Sequence, residues 1–170
     1  MSFGLTAIEY LNMLKEEHAD FCRDNLCVRR AISCSVFANH MPEIVCAEYK
    51  DSDPAKLDCY TNPRRYREYV IAQCTELGII QDLCDYGKHG PVLERHRVRA
   101  PEQVRTSTVE KTMELDATLY AFGPHVFGLP SSRDVDALMV TLRDGTKFRF
   151  DACIARAIEF WEEGIRAKAI

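Results

Sequence analysis

The sequence lacks the signature motifs of several common chemistries. It contains no glycine-rich phosphate-binding loop of either standard type and no G-x-S-x-G turn, which excludes the usual nucleotide sites and an α/β-hydrolase serine. No uninterrupted apolar run approaches the length of a membrane span, so no membrane partner is expected. The opening residues, MSFGLTAIEY, do not show a basic segment followed by an apolar one, and we therefore expect no secretory signal.

Cysteine is abundant, but its spacing is not that of a metal or redox site. None of the eight cysteines belongs to a C-x-x-C pair, which excludes zinc-ribbon and thioredoxin-type motifs. Most of them fall within apolar helical patterns, where free cysteine behaves as a small hydrophobe. Cys84 and His89 lie on adjacent helical turns but supply only two ligands, so we expect no metal and no cofactor. These features predict a reduced, cytoplasmic protein.

The chain also lacks an excess of positive charge. Its formal net charge of −4 argues against polyanion binding over the whole surface, although a local basic patch is compatible with it. A length of 170 residues predicts one domain, and an apolar content of 46% is ordinary for a protein with a sizeable core.

Hydrophobic periodicity predicts two helices in the first fifty residues. Thr6 opens a capping box with the glutamate three residues later, and the helix that follows is expected to run to about Phe21. Asn25 is expected to cap a second helix that continues towards Tyr49. Pro42 interrupts this helix, which either kinks there or ends and restarts.

A third helix is expected to be long. Asn62-Pro63 provides a cap followed by proline at the first helical position, and one apolar stripe continues from Tyr66 to about His89. Gly90-Pro91 then ends the helix. Three helices joined by short connections predict an antiparallel bundle.

After Pro91 the pattern changes to that of short strands. Asp144-Gly145, between apolar stretches at 135–142 and 146–150, is a strong hairpin signal, and Asp151 is expected to cap a final helix. Further strands are expected at residues 95–100, 104–109, 118–122 and 125–129. The predicted fold is α+β overall: a mainly α antiparallel helical bundle with a small antiparallel β-sheet in the C-terminal half. We expect a single domain over 1–170, made of a bundle core (1–91), a small β region (92–150) and a C-terminal helix (151–170).

The third helix carries a candidate catalytic group. Asp82, Asp85, Tyr86 and His89 share one helical face. Asp85 precedes Lys88 by three residues and His89 by four, a favourable order of acid and base, and a carboxylate beside an imidazole fixes its tautomer for proton transfer. We therefore predict a catalytic group of Asp85, Lys88 and His89, with Asp82 as a secondary candidate. The alternative is a solvated helix end with a favourable order of charges.

Two clusters of arginine flank this helix. In a strand, Arg95, Arg97 and Arg99 would share one face because side chains alternate, and guanidinium groups suit phosphate oxygens. The alternative is that they pair with acids elsewhere in the chain. A second basic cluster, expected a whole helix length from His89, opens the third helix with Arg64, Arg65 and Arg67.

Asn39 and His40 directly precede Pro42, where backbone carbonyls lose their partners. They are secondary site candidates, and the alternative is that they are polar side chains satisfying a helix kink. His18 lies on the apolar stripe of the first helix and is expected to be a buried or boundary histidine.

The order of these elements resembles that of HEPN-like helical-bundle proteins of bacteria and phages. The resemblance rests on Asn39-His40, on the charged face of the third helix, and on residues 140–145 (VTLRDG) with the aromatic helix after them. It implies a metal-independent ribonuclease or RNA-binding protein that works as a homodimer in defence or RNA processing. The hallmark of HEPN ribonucleases is an arginine four to six residues before a histidine, and none of the five histidines has one. Lys88 would have to replace that arginine as the phosphate anchor.

We therefore expect an RNA-directed protein. By this resemblance His89 acts as acid and base, Asp85 orients it, and phosphate is bound by Lys88 together with Arg95, Arg97 and Arg99. Two alternatives remain open. One is a non-catalytic dimerisation or partner-binding module, and the other is a small-molecule-binding protein with its pocket between the bundle and the sheet.

Overall fold

Five helices and three strands make up the regular structure in the part of the chain that this computed structural model describes. That part comprises residues 4–89, 106–112, 137–142 and 146–168, with only the backbone described at 86–89, 106–112, 142 and 168. The fold is mainly α with a small antiparallel sheet, as predicted. The elements in chain order are α1 (Ala7–Arg23), α2 (Val28–Tyr49), a short 3-10 turn (Pro54–Leu57), α3 (Pro63–Gln73), α4 (Thr75–His89), β1 (Thr106–Thr112), β2 (Ala137–Leu142), β3 (Lys147–Arg149) and α5 (Phe150–Lys168).

The start of α1 is a capping box, as predicted. The Thr6 amide and hydroxyl both donate to Glu9 Oε2 at 2.8 Å, and the Glu9 amide donates to Thr6 Oγ1 at 3.3 Å. These bonds satisfy amides that a helix start leaves free. They also lower the pKa of the Glu9 carboxyl, chiefly through the bond from the Thr6 amide.

Helix α2 starts later than predicted. Its N-cap is Cys27, which makes no side-chain capping bond, and Asn25 lies in the turn that precedes it. This turn is closed by the Cys27 amide, which donates to the carbonyl of Asp24 at 3.0 Å. The prediction that Asn25 caps the helix was therefore wrong. Pro42 lies inside α2, which continues as one helix to Tyr49.

The predicted third helix is in fact two helices. Asn62 caps α3 by accepting from the amides of Arg64 and Arg65, but Cys74 has an extended backbone (φ −136°, ψ 100°), and α4 starts after it. An unbroken helix over 63–89 would be roughly 40 Å long, longer than α2 at roughly 33 Å. The break at Cys74 lets both halves bury apolar side chains against the same core, among them Tyr66 on α3 and Ile80 on α4.

The sheet has the order β1-β2-β3, and both strand pairs are antiparallel. Val140 pairs with Phe148 and Thr141 with Lys147, which confirms the predicted hairpin. The predicted strand at 104–109 corresponds to β1, whereas those at 95–100, 118–122 and 125–129 lie outside the described residues.

Helix α5 begins at Phe150, one residue earlier than predicted. Asp151 is therefore not the cap but a residue of the first turn. Its carboxylate accepts from the Ala152 amide at 3.0 Å and from two nitrogens of Arg149, at 2.6 and 3.0 Å. A fork of this kind is the favourable geometry for an arginine and a carboxylate.

The core lies between the helices and the inner face of β2. Helix α5 packs against α1, α2, α4 and β2. Its Phe150 ring meets Phe21 of α1 edge-to-face, with centroids 5.0 Å apart and planes at 86°. Among the described residues, no helix combines the length and the apolar character that a membrane crossing requires.

Candidate functional site

The predicted catalytic residues lie on α4, but the structure describes them unequally. Asp82 and Asp85 are half-buried. Lys88 and His89 form the end of α4, where only the backbone is described. Arg95, Arg97 and Arg99, the predicted phosphate-binding face, lie outside the described residues.

The secondary candidates on α2 lie at a junction of three helices. Asn39 is 7% exposed, and its side-chain Nδ2 donates to Cys84 Sγ of α4 at 3.5 Å. Its backbone carbonyl accepts from Arg67 Nη2 of α3 at 3.3 Å. Pro42 has no amide to donate to the carbonyl of Ala38, four residues earlier, so the bond from Arg67 to the next carbonyl joins α3 to α2 in the turn that the proline disturbs.

Glu43 connects this junction to His40. Its Oε1 forms an ion pair with Arg67 Nη2, and its Oε2 lies 3.6 Å from His40 Nδ1. At 3.6 Å, the approach of Glu43 Oε2 to His40 Nδ1 is too long for a hydrogen bond and is an electrostatic contact. Glu43 Oε2 is buried and accepts no hydrogen bond from the part of the chain that the structure describes. The His40 side chain is 41% exposed, so its imidazole is accessible to a solute.

We call these side chains the Pro42 cluster, and they come from three helices: Asn39, His40, Glu43, Arg67 and Cys84. The cluster places an imidazole beside a carboxylate and a guanidinium beside the same carboxylate. The first pair suits proton transfer, and the guanidinium suits an oxyanion.

The cluster shows that Arg67 lies nearer to α4 than the sequence predicted. Arg67 was expected a whole helix length from His89, yet Arg67 and Cys84 both contact Asn39. The break at Cys74 brings them together, because it lets α4 pack on α2 independently of α3. Lys88 lies four residues after Cys84, so its Cα lies one turn further along the same face of α4.

Sequence reasoning missed Glu43 and Arg67. The one signal for them was Pro42, because a proline inside a helix calls for an outside donor to the preceding carbonyls. The pattern cannot say which donor supplies it, since Arg64, Arg65 and Arg67 are equally placed in the sequence.

Neither a metal site nor a thiol nucleophile is favoured by the described side chains. They include no group of three or more histidine, cysteine, aspartate or glutamate residues placed to hold a metal ion. All eight cysteines are free. Burial raises the pKa of Cys34 and Cys153 to about 12 and that of Cys74 to about 11, so these thiols stay protonated at neutral pH.

His18 is half-buried between α1 and the start of α5, and this makes stability depend on pH. Burial lowers its pKa, while a hydrogen bond with the Asp151 backbone and the Asp151 charge act in the opposite direction. Because the pKa in the unfolded chain is higher, near 6.5, the unfolded state binds more protons as the pH falls. The stability linked to His18 is therefore present above about pH 6.5 and lost as the pH falls towards the folded pKa.

We expect the urea midpoint of the wild type to fall between about pH 7.5 and pH 5.5, and to fall less in His18→Gln. Urea unfolding followed by circular dichroism at the two pH values measures both changes. An equal fall in the two proteins would show that His18 is not the group responsible.

Comparison of the chain with known protein families, with curated proteins and with solved structures gave no match. The resemblance to HEPN-like proteins therefore stays a prediction from the sequence.

Proposed function

We propose that this protein acts on RNA, as a metal-independent ribonuclease or an RNA-binding protein of the HEPN-like type. One observation supports the proposal above the others: Arg67 contacts Asn39 at the same point where α4 packs on α2. The arginine that the sequence lacks before each histidine is thus supplied from α3. It lies beside the helix that carries Lys88 and His89.

In this proposal Arg67 holds a phosphate. A guanidinium has five N–H donors, so it can keep its bonds to Glu43 and to the Asn39 carbonyl and still donate to a phosphate oxygen. Lys88 adds a second positive charge. Arg95, Arg97 and Arg99, which lie outside the described residues, are proposed to extend the contact along the RNA backbone.

Two histidines are proposed for proton transfer. In metal-independent cleavage a base takes the proton of the ribose 2′-hydroxyl, whose oxygen then attacks phosphorus. The bond from phosphorus to the 5′-oxygen breaks, and an acid gives that oxygen a proton. We assign these roles to His40 and His89, with Glu43 and Asp85 as the carboxylates that orient them.

The test is a gel assay of mixed RNAs with EDTA present. We expect the wild type to cleave, His89→Ala and His40→Ala to cleave about 10²–10⁴-fold more slowly, and Arg67→Lys to lose activity through loss of the guanidinium fork. Arg64→Lys is the matched control, since Arg64 is 82% exposed and pairs with Glu68 on its own helix.

RNA binding without cleavage would still support the RNA-directed function if the affinity falls steeply with salt, because phosphate contacts release counterions. If the protein neither cleaves RNA nor shifts its mobility at low salt, the RNA-directed function is refuted. The Pro42 cluster would then have a structural role only. Light scattering during gel filtration measures the molar mass in solution and so tests for the homodimer that the resemblance implies.

A further inference from the structure

A cavity of about 230 Å³ lies between α2, α3 and α5, and none of the lining residues that the structure describes belongs to the Pro42 cluster. None of the described residues that line it belongs to the sheet, so this cavity is distinct from the pocket between bundle and sheet that the sequence suggested. Its volume is below the roughly 300–1,000 Å³ typical of pockets for drug-sized ligands, which favours a small ligand. Five of its lining side chains are aromatic: Tyr49, Tyr66, Tyr69, Phe160 and Trp161.

One acidic side chain, Asp58, lies among the lining residues that the structure describes. Burial raises the pKa of Tyr49, Tyr66 and Tyr69, so these phenols are neutral at physiological pH. Asp58 directly follows the 3-10 turn in the left-handed conformation (φ 50°) and is hydrogen-bonded to the Tyr69 side chain. The wall of the cavity therefore combines an acidic side chain with aromatic rings.

Rings of the aromatic wall pack against neighbouring rings, and one of them, Tyr49, lies beside the ammonium group of Lys56. Tyr60 stacks on Tyr69 with centroids 4.7 Å apart, and Tyr66 packs next to Tyr69 at 6.4 Å. Lys56 Nζ lies 4.9 Å from the centroid of the Tyr49 ring. This distance lies within the range of a cation–π interaction.

We propose that this cavity binds a small organic cation of the quaternary ammonium type. Aromatic faces attract such a cation through their quadrupoles, and Asp58 adds a charge that a neutral ligand could not use. The inference goes beyond the proposed action on RNA, because it uses none of the residues assigned there.

The test uses choline and its neutral isostere 3,3-dimethylbutan-1-ol, which has carbon in place of the ammonium nitrogen. Binding is measured by calorimetry, and the fluorescence of Trp161, the single tryptophan of the chain, locates it at the cavity. We expect saturable choline binding with a change in Trp161 emission, and binding of the isostere to be weaker by roughly tenfold or more.

Asp58→Asn separates charge from shape, because asparagine tolerates the left-handed backbone and keeps the size of the side chain. We expect this variant to weaken choline binding severalfold and to leave the isostere unchanged. Asp51→Asn is the control, since Asp51 is an exposed acid of the same loop that does not line the cavity. Arg67→Lys should bind choline like the wild type, so this proposal and the RNA proposal fail separately.

Three results would overturn the inference. They are equal affinity for choline and the isostere, choline affinity unchanged in Asp58→Asn, and the absence of saturable choline binding.

Discussion

Phe21→Ala is expected to lower the free energy of unfolding by about 3–5 kcal/mol. Phe21 is 1% exposed and Phe150 is 0% exposed, and their edge-to-face contact joins α1 to the first turn of α5. Removing the Phe21 ring loses its burial and leaves a cavity that the two helices can close only in part. Urea unfolding followed by circular dichroism measures the loss.

A double-mutant cycle with Phe150→Ala isolates the contact between the rings. We expect a coupling of about 0.5–1.5 kcal/mol, the usual range for an aromatic pair beyond its burial. Ile8→Ala on the same helix is the control, because Ile8 is 49% exposed and its truncation should cost less than about 1 kcal/mol. A loss below about 1 kcal/mol for Phe21→Ala would mean that the rings do not pack as described.

Arg67→Met is expected to cost about 1–3 kcal/mol, because it removes the partner of Glu43 and the donor to the Asn39 carbonyl. The expected loss is smaller than the 3–5 kcal/mol of a fully buried pair, since the side chains of Arg67 and Glu43 are 22% and 37% exposed and water screens their charges. Chemical denaturation of the single variant measures it.

Two further variants identify the cause of that loss. Arg67→Met combined with Glu43→Gln should recover part of the stability, because no carboxylate is then left without its cation. Arg64→Met breaks a pair of the same type whose side chains are 82% and 64% exposed, and it should cost no more than about 0.5 kcal/mol. Equal losses for Arg67→Met and Arg64→Met would show that the Pro42 cluster contributes no more than a surface ion pair.

These variants also bear on function, since Arg67 joins α3 to α2 through Glu43 and Asn39 and is also proposed to bind phosphate. Arg67→Lys retains the charge on α3 while losing the planar fork that suits an oxyanion. A stable Arg67→Lys protein with weakened RNA binding would separate the two roles. A stable variant with unaltered RNA binding would leave Arg67 as scaffold alone.

Those parts of the fold that depend on neighbouring residues were predictable from the sequence. The capping box at Thr6 and the cap at Asn62 act within one turn, and the hairpin around Asp144-Gly145 depends on turn residues between two apolar strands. The same reasoning failed at Asn25, where a residue suited to capping lies in a turn that closes through backbone bonds instead. The capping preference of one residue predicts a helix start only weakly when the backbone can satisfy its amides in another way.

The sequence by itself determined the helical stripes, the starts of α1 and α3 and the strand pairing of the hairpin, because each depends on contacts within a few residues. Only the tertiary structure decided that the third helix breaks at Cys74, since the apolar stripe runs through this residue without a glycine or proline to mark the break. With that break, α3 and α4 both pack on α2, where Arg67 and Cys84 contact Asn39, and an aromatic cavity lies between α2, α3 and α5. Both features join residues far apart in the chain, and their proximity depends on the path of the backbone, which no local spacing records.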